Sequence, residues 1–436
     1  MKLISGLTSL ARTWGIGLVL GTVAVTAAVA DKPSKDWPMF GQDLANTGST
    51  TDTDISAKNV SELKVKWSLT VGGDVSARAA VVKGVVYFPD WDGNLWAVSA
   101  GNGKVLWSHA LAEYGLTGSY SGVYHSRTTP AVVGGTVYVG TQEGAYLLAI
   151  DAASGMLRWM TKMEPADPYA IVTTSPSVHK GVVYTGVASA AEGGSIFGIT
   201  IATPRGSAVA VDAATGVIRW KKYMVPAGYT GGGVWGSHPV VDPDRNSLFV
   251  STGNNYTHPT DPAYLACVSG GGTAAACSSA ANYVDSVVAL DLTTGAVKWA
   301  RKLVTWYQSG YGVVDGSDDW NVDCLFPLFG FPGVGPQCPS NAGPDYDFGS
   351  TPNLITYKTG KHSKTILGAG QKSGIYYALD PDTGALLWQK QVGPGSALGG
   401  MEWGSASDGK RIYVSIANLY GIPYGGGSAG SWAALD

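Results

Sequence analysis

Several short segments of the 436-residue chain carry residue types that can transfer protons or bind cations. Asp345 and Asp347 lie two residues apart in Gly343-Pro344-Asp345-Tyr346-Asp347, so both carboxylates face the same side if the segment is an extended strand. A carboxylate can accept the proton of a substrate hydroxyl. Glu192 ends a Gly-containing segment and offers the oxygen atoms that hard cations such as Ca²⁺ prefer. Carboxylates of this kind can serve as a general base or as ligands of a cation.

Cationic and aromatic residues occur in comparable segments. Arg127, in Val123-Tyr124-His125-Ser126-Arg127, can form a bidentate pair with a carboxylate, and the indole of Trp235 can stack on a planar ligand. Lys372, in Gly370-Gln371-Lys372-Ser373-Gly374, adds a second cation. Each has a simpler alternative: a surface salt bridge for Arg127, core packing for Trp235 and a solvated turn for Lys372.

A repeat that occurs five times must position these segments. Its pattern is a small residue, any residue, Asp, three residues, Gly, three residues and Trp. The copies are Trp96 to Trp107, Leu148 to Trp159, Val209 to Trp220, Val288 to Trp299 and Tyr377 to Trp388, with Ser99 in place of Asp in the first copy. The Asp side chain can bond backbone amides of a turn, and Gly supplies the positive φ that closes it. The run that ends in Trp is then an outer strand, with its indole packed between repeats.

Four-stranded repeats of about 40 to 50 residues are typical of a β-propeller. We therefore predict an all-β propeller whose four-stranded blades each contain this Trp. Val65 to Leu69 is predicted to be an outer strand without a blade of its own, and runs such as Gly84 to Phe88 are predicted to be first strands. A sixth copy begins at Trp432 and stops at Asp436, so we expect about five to six blades, with two to three more missing.

The N-terminal residues 1–30 have the pattern of a signal peptide. Lys2 and Arg12 are positive, Trp14 to Val29 is apolar, and Ala28-Val29-Ala30 is a small-x-small cleavage site. A membrane anchor is the alternative, but the run is short and Gly-rich. Residues 31–436 would then form the propeller domain, exported to the periplasm or secreted, with no membrane span after cleavage. The net charge of −3 argues against nucleic acid as a partner.

The four cysteines are Cys267, Cys277, Cys324 and Cys338. Three pairings are possible in principle, and in an exported chain the local pairs Cys267–Cys277 and Cys324–Cys338 are favoured, each closing an inserted loop. None of the four forms a Cys-x-x-Cys-His haem motif.

The repeats and the segments between them resemble the quinoprotein alcohol dehydrogenases, which are eight-bladed propellers that bind pyrroloquinoline quinone and usually Ca²⁺. Gly343 to Pro352 and Gly399-Gly400-Met401-Glu402-Trp403-Gly404-Ser405 are most similar to the polyvinyl alcohol dehydrogenases of that family. The resemblance implies that Asp345 is the catalytic base. It implies quinone contacts from Arg127, Thr173, Trp235, Lys372 and Trp403, and Ca²⁺ ligands from Glu192, Asn254 and Asp345. Trp403 and Glu402 would also shape substrate entry. Asp347 remains the alternative base, and a residue at a strand edge is the alternative for Thr173.

The resemblance implies oxidation of secondary alcohols, among them polyvinyl alcohol, by hydride transfer to the quinone. Electrons would pass to a separate soluble cytochrome c, since the chain has no haem motif. Two departures stand out: the adjacent Cys pair of many relatives is absent, and the early Glu that meets the cofactor is replaced near Ser76, with Arg78 close by. The rival functions are a non-catalytic propeller scaffold of outer-membrane assembly and a quinone-dependent dehydrogenase of small primary alcohols or sugars.

Overall fold

A computed structural model describes residues 36–50, 54–196, 204–236, 238–257, 259–303, 305–308, 312–315 and 345–436. The predicted signal peptide and the pair Cys324–Cys338 lie outside these residues. Within the described part of the chain, no helix is long and apolar enough to cross a membrane.

The fold is a β-propeller built from consecutive antiparallel sheets, as predicted. Four sheets contain four strands each, one contains four strands and a short fifth, and one contains three, and we call them blades 1 to 6 in chain order. Blades 1 to 3 consist of Ala80–Val82, Val85–Pro89, Asn94–Ser99 and Val105–Ala110; Ala131–Val133, Thr136–Gly140, Tyr146–Asp151 and Leu157–Lys162; and Ser177–His179, Val182–Ser189, Ser207–Asp212 and Ile218–Tyr223. Blades 4 to 6 consist of Val240–Asp242, Ser247–Ser251, Ser286–Asp291 and Val297–Lys302; Asn353–Thr359, His362–Gly370, Ile375–Leu379 and Leu386–Gln391; and Ala406–Ser407, Ile412–Ile416 and Ser431–Leu435.

Other elements connect or extend the blades. The short strand Ala170–Ile171 pairs with the end of the second strand of blade 3. Thr305–Gln308 and Gly312–Asp315 form a separate antiparallel hairpin. The helices are α1 (Ala191–Ile196), α2 (Pro262–Ser269) and α3 (Ala274–Cys277), and the 3₁₀ turns are Val60–Glu62, Leu111–Tyr114 and Glu143–Ala145.

The hydrophobic core lies between successive blades. In the third strand of blade 2, Leu147 and Ala149 pack with Val209 of blade 3, whereas Leu148 and Ile150 pack against blade 1. This alternation follows from the two-residue period of a strand, and both faces are apolar because both are covered. Full burial of a Leu or Ile side chain stabilises the fold by about 1.5–3 kcal/mol.

The repeated turn links each blade to the one before it. In the copy at Asp151, Oδ1 accepts the backbone N–H groups of Ala153 and Ser154, and Gly155 has φ 75°. In blades 1 to 4, the repeat Trp donates its indole N–H to the carbonyl of the residue that follows the turn Asp of the next blade. The donors and acceptors are Trp107 and Ala152, Trp159 and Ala213, Trp220 and Leu292, and Trp299 and Pro381, at 3.0–3.2 Å. The predicted role of the Trp repeat is confirmed.

Two sequence predictions need correction. Residues 65–69 form no strand, although the Trp67 indole donates to the carbonyl of Ala100 at 3.0 Å, which is the same contact that the other repeat Trp residues make. The predicted first strands, such as Gly84 to Phe88, are second strands. In blade 1 the shorter strand Ala80–Val82 precedes Val85–Pro89 and pairs with it. Five of the six first strands have three residues or fewer, which is too short to show the two-residue period of a strand in the sequence.

The inserted loop after blade 4's second strand is closed by a disulfide. Cys267 in α2 and Cys277 in α3 are bonded, with their Cα atoms 5.6 Å apart. Asp261 caps α2 by accepting the backbone N–H of Tyr264, and Pro262 begins the helix. The predicted pair Cys267–Cys277 is therefore confirmed.

Candidate active site

The predicted site residues occupy two kinds of position in the blades. One group precedes the first strand of a blade and the other follows the second strand. The first group is Arg127, Thr173, Trp235, Asp345 and Trp403, and the second is Glu192, Asn254 and Lys372. The first two strands of a blade are antiparallel neighbours, so the start of one and the end of the other meet at the same end of the sheet. Blades 2 to 6 therefore present these residues from equivalent ends.

One cavity of about 540 Å³ collects most of these residues. Its lining includes Arg127, Thr173, Glu192, Trp235, Asp345, Lys372 and Trp403, together with two further carboxylates, Asp347 and Glu402. Apolar side chains, among them Ile171, Leu398 and Tyr420, complete the wall. The cavity thus combines four carboxylates and two cations with aromatic and apolar surface.

The ammonium of Lys372 lies among the carboxylates. Its Nζ is 3.1 Å from Oδ2 of Asp347 and 3.5 Å from Oδ2 of Asp345, and the lysine is buried. Burial alone would lower the pKa of Lys372, but the charges of Asp347, Asp345 and Glu192 outweigh it and raise the pKa above its ordinary value. Lys372 is therefore charged at neutral pH.

Asp347 accepts three hydrogen bonds from groups around the cavity. Its Oδ2 accepts the indole N–H of Trp235 at 3.1 Å in addition to Lys372, and its Oδ1 accepts the backbone N–H of Asn254 at 2.8 Å. The side chain is buried. These donors stabilise the ionised carboxylate and fix its orientation.

Asp345 borders the same cavity but reaches it differently from the prediction. Its φ is 61°, and residues 345–349 form no strand, so the prediction that an extended strand aligns Asp345 with Asp347 is wrong. Asp is one of the non-glycine residues that adopt this left-handed conformation most readily. The turn nevertheless brings both carboxylates to Lys372.

Asn254 is the predicted site residue that the structure does not bring to the wall of the cavity. It is buried behind Asp347, which accepts its backbone N–H, and its side-chain amide donates to the carbonyl of Asn255 at 2.9 Å. Among the described contacts, Asn254 supports a cavity carboxylate.

Two indoles and a guanidinium form the aromatic part of the wall. Trp235 and Trp403 meet edge to face, with ring centroids 5.7 Å apart. The Arg127 guanidinium lies 4.3 Å from the Trp403 ring centroid, within cation–π range. Thr173 donates its hydroxyl to the backbone carbonyl of Trp235 at 3.1 Å and so holds the Trp235 segment.

The pKa values of three ionisable side chains in the cavity are shifted from their ordinary values. The pKa of Glu192 is raised to about 7, chiefly by burial and further by the charge of Asp347, against the opposing charge of Lys372. Burial also raises the pKa of Glu402. Burial lowers the pKa of Arg127, and the charge of Glu402 opposes that shift. A bound cation would relieve the repulsion among these carboxylates.

Known proteins with similar sequences include two polyvinyl alcohol dehydrogenases. The chain is 29% identical over 429 residues to the one from Pseudomonas sp., covering 91% of this chain and 57% of the relative. It is 29% identical over 406 residues to the one from Sphingopyxis sp. (strain 113P3), covering 87% of this chain and 54% of the relative. The chain thus spans little more than half the length of these relatives.

Family and structure comparisons agree on the fold. A family model described as outer membrane protein assembly factor BamB matches residues 21–222. The crystal structure of quinohemoprotein alcohol dehydrogenase from Comamonas testosteroni superposes with a TM-score of 0.63 at 21% identity, covering 87% of this chain and 57% of that one. The chain is a homologue of polyvinyl alcohol and quinohemoprotein alcohol dehydrogenases.

The cavity residues fit a planar quinone that carries carboxylates. Arg127 and Lys372 provide positive charge for carboxylate or carbonyl oxygens, and the indole of Trp235 provides a flat apolar surface. Thr173 adds a hydroxyl oxygen that can accept a hydrogen bond. This donor set is the observation on which assignment of pyrroloquinoline quinone to the cavity depends.

The fit to a cation is less complete. Among the described residues, no cluster of three or more His, Cys, Asp or Glu side chains is arranged as a metal site. Glu192 and Asp345 line the cavity, but Asn254 does not, and Lys372 lies next to Asp345. Binding of Ca²⁺ by Glu192, Asn254 and Asp345 therefore stays a prediction. The location of Glu192 and Asp345 in the acid-rich wall of the cavity supports it.

Sequence reasoning gave too little weight to some cavity residues. Asp347 was considered only as a rival to Asp345, yet it connects Trp235, Lys372 and Asn254. Glu402 is predicted from the sequence only to shape substrate entry with Trp403, and it lines the cavity as a fourth carboxylate. Both lie at the blade ends where the predicted residues lie, so position in the repeat was the signal available.

Proposed function

We propose that this chain carries the quinone site of a pyrroloquinoline quinone-dependent alcohol dehydrogenase that oxidises secondary alcohols, with polyvinyl alcohol as the substrate class. The observation that carries the proposal is the single cavity of about 540 Å³ that gathers Arg127, Thr173, Trp235, Asp345 and Lys372 from four blades. The polyvinyl alcohol dehydrogenases at 29% identity support the substrate class.

Asp345 is the proposed general base. Both oxygens of Asp347 accept hydrogen bonds from Trp235, Lys372 and Asn254, which suits a carboxylate that positions its neighbours. Asp345 lines the same cavity, and in its ionised form it can take the proton of a substrate hydroxyl. When bound, the quinone supplies the acceptor for the hydride of the alcohol carbon.

The other residues bind and orient. Lys372, from blade 5, pairs with both aspartates in the wall of the cavity. Arg127, from blade 2, presents a guanidinium that lies against the Trp403 ring. Leu398 and Tyr420 place apolar surface beside the acids, as a hydrocarbon chain bearing hydroxyl groups would require. Glu192 and Asp345 are the proposed protein ligands of Ca²⁺ within this cavity, with Asn254 as a third ligand predicted from sequence.

We also propose export to the periplasm through cleavage of residues 1–30 and transfer of electrons to a soluble cytochrome c. The charged segment, apolar run and cleavage pattern support export. The relative named lupanine 17-hydroxylase [cytochrome c], 25% identical over 444 residues, supports a cytochrome as the acceptor.

The test is reconstitution of the purified full chain with pyrroloquinoline quinone and Ca²⁺, followed by dye reduction with polyvinyl alcohol, a small secondary alcohol and ethanol. Retained quinone absorbance and a rate with polyvinyl alcohol and the secondary alcohol are expected. A rate only with ethanol or a sugar would favour the small-alcohol rival. Retention of no quinone, together with no rate on any alcohol, would favour the scaffold function that the description of the matching family model suggests.

A further inference from the structure

A second, smaller cavity adjoins the proposed quinone site. It measures about 250 Å³ and shares Arg127, Thr173 and Trp403 with the larger cavity. The residues that line it alone are Phe40, Ser76, Ala77, Arg78, Trp91, Thr129 and Ser175. The two cavities are therefore adjacent at these three residues.

The two cavities have opposite charge. The smaller one is lined by two guanidinium groups and by no carboxylate, whereas four carboxylates and two cations line the larger one. Among the described ion pairs, Arg78 and Arg127 are not within 4.0 Å of any carboxylate. An anion is therefore attracted to the smaller cavity and repelled by the larger one.

The Arg78 guanidinium makes two hydrogen bonds to backbone carbonyls and has further N–H donors available for a ligand. Its Nη1 donates to the carbonyl of Phe40 at 3.4 Å and its Nη2 to the carbonyl of Trp403 at 3.5 Å, both near the outer limit for a hydrogen bond. The guanidinium also lies 4.1 Å from the Phe40 ring centroid. A guanidinium has five N–H donors, so most remain for a ligand.

A buried hydroxyl in the same wall lacks a partner. Oγ1 of Thr129 is buried and makes no hydrogen bond, although the threonine lines the cavity and is only 1% exposed. The backbone N–H of Thr129 donates to Oγ of Ser175 at 2.9 Å, which fixes this part of the wall. A buried hydroxyl without a partner destabilises the fold unless a ligand or water completes it.

We propose that the smaller cavity binds a carboxylate group, held by the guanidiniums of Arg78 and Arg127 and by the hydroxyl of Thr129. A carboxylate suits two forked donors because its planar pair of oxygens accepts parallel N–H bonds. Two sources have this chemistry: a carboxylate of the quinone whose rings occupy the larger cavity, and a free carboxylic acid. The first source rests on the proposed function, and the second does not.

The experiment measures binding of two probes, pyrroloquinoline quinone and citrate, by equilibrium dialysis with the full chain. The variants are Arg78→Gln, Arg78→Lys and Thr129→Val. Arg219→Gln is the matched control, because Arg219 pairs with Asp212 in a blade turn away from both cavities. Melting temperature and circular dichroism verify that each variant is folded.

Arg78→Gln is expected to weaken binding about 10-fold to 100-fold, as loss of a hydrogen bond to a charged group does, and Thr129→Val roughly 2-fold to 10-fold. Arg78→Lys should restore part of the loss, and Arg219→Gln should bind as the wild type does. Because the contact is ionic and partly exposed, the difference between wild type and Arg78→Gln should shrink as salt is added.

Each outcome either supports or overturns the proposed carboxylate site. Weakened quinone binding without citrate binding assigns the carboxylate to the quinone, and weakened binding of both probes shows that a free carboxylate suffices. Weakened citrate binding in a chain that binds no quinone supports the carboxylate site and removes the proposed function. Equal binding by wild type, Arg78→Gln and Thr129→Val, or binding of neither probe, overturns the inference.

Discussion

Lys372 and Asp347 form a buried ion pair, with Nζ 3.1 Å from Oδ2, and the same oxygen accepts the indole N–H of Trp235. Blade 5 supplies Lys372 after its second strand and Asp347 before its first. Pairing of these two strands thus brings the charges together, and Trp235 joins them from blade 4. Asp347 therefore fixes the position of the Lys372 charge relative to the Trp235 indole in the cavity wall.

Replacement of Lys372 by Met should both destabilise the chain and weaken quinone binding. Removal of one partner of a buried pair leaves an uncompensated charge and costs about 3–5 kcal/mol. Urea denaturation and quinone dialysis measure the two effects. Lys221→Met is the control, because Lys221 pairs with buried Glu164 at 3.1 Å outside the cavity. It should lower stability and leave quinone binding unchanged; equal loss of quinone binding in both variants would contradict the assignment.

Asp345 and Asp347 should respond differently to removal of their charge. Asp345→Asn should keep bound quinone and lower kcat about 100-fold to 10,000-fold, because a positioned general base contributes that much. Asp347→Asn should weaken quinone binding and lower stability, because an amide has no charge to pair with Lys372 and keeps only one oxygen to accept from Trp235, Lys372 and Asn254. Steady-state dye reduction and quinone absorbance separate the two. A normal kcat in quinone-loaded Asp345→Asn would transfer the role of base to Asp347.

The sequence predicted the blades well because the repeat combines three independent local signals. Asp151 and Gly155 build a turn, and Trp159 reports the strand that follows it. The alternation of Leu147 and Leu148 between two cores is likewise a property of any strand covered on both faces. The missing strand at Val65 to Leu69 shows the limit, because Trp67 makes the repeat's contact without a strand around it.

The site was predicted less completely because its geometry depends on turns. Asp345 adopts φ 61°, which no alternation rule anticipates, and Asn254 turns its side chain to the carbonyl of Asn255. Position in the blade was enough to predict which residues line the cavity, and seven of the eight predicted residues do so. The central place of Asp347 arises from contacts between blades 4 and 5, distant in sequence.

Ca²⁺ should stabilise the chain through Glu192. A ligand that binds the native state at 100 times its Kd adds about 2.7 kcal/mol to the free energy of unfolding, so added CaCl₂ should raise the melting temperature and a chelator should reverse the rise. Glu192→Gln should abolish the response, because an amide offers a weaker ligand for a hard cation. Glu113→Gln, at an exposed carboxylate, is the control. An undiminished response in Glu192→Gln would remove Glu192 from the set of ligands.

His238 should make stability fall in mild acid. Burial lowers its pKa to about 4 from the ordinary value near 6.5, so the unfolded chain binds more protons than the native chain between these values. The contribution is complete above pH 6.5 and declines as the pH falls toward 4, by up to about 3 kcal/mol. Urea midpoints at pH 7 and pH 5 measure it. His238→Asn should reduce the difference between the two midpoints, and an unchanged difference would assign the acid sensitivity to other groups.

Packing of the repeat Gly against an indole should matter separately from its backbone conformation. Gly216 has φ 76°, and a Cβ added there would lie 2.7 Å from Cε3 of Trp159. Gly181 has φ 75°, but a Cβ added there would have no atom within 4 Å. Gly181→Ala should therefore lower the free energy of unfolding by about 1–2 kcal/mol, the left-handed backbone penalty alone. Gly216→Ala should lower it by roughly 1–3 kcal/mol more, because Trp159 must move away from blade 3. Urea denaturation of both variants gives the cost of the contacts with Trp159 and with Oγ1 of Thr161, 2.8 Å from the added Cβ, as their difference. Equal losses would show that only φ constrains the repeat Gly.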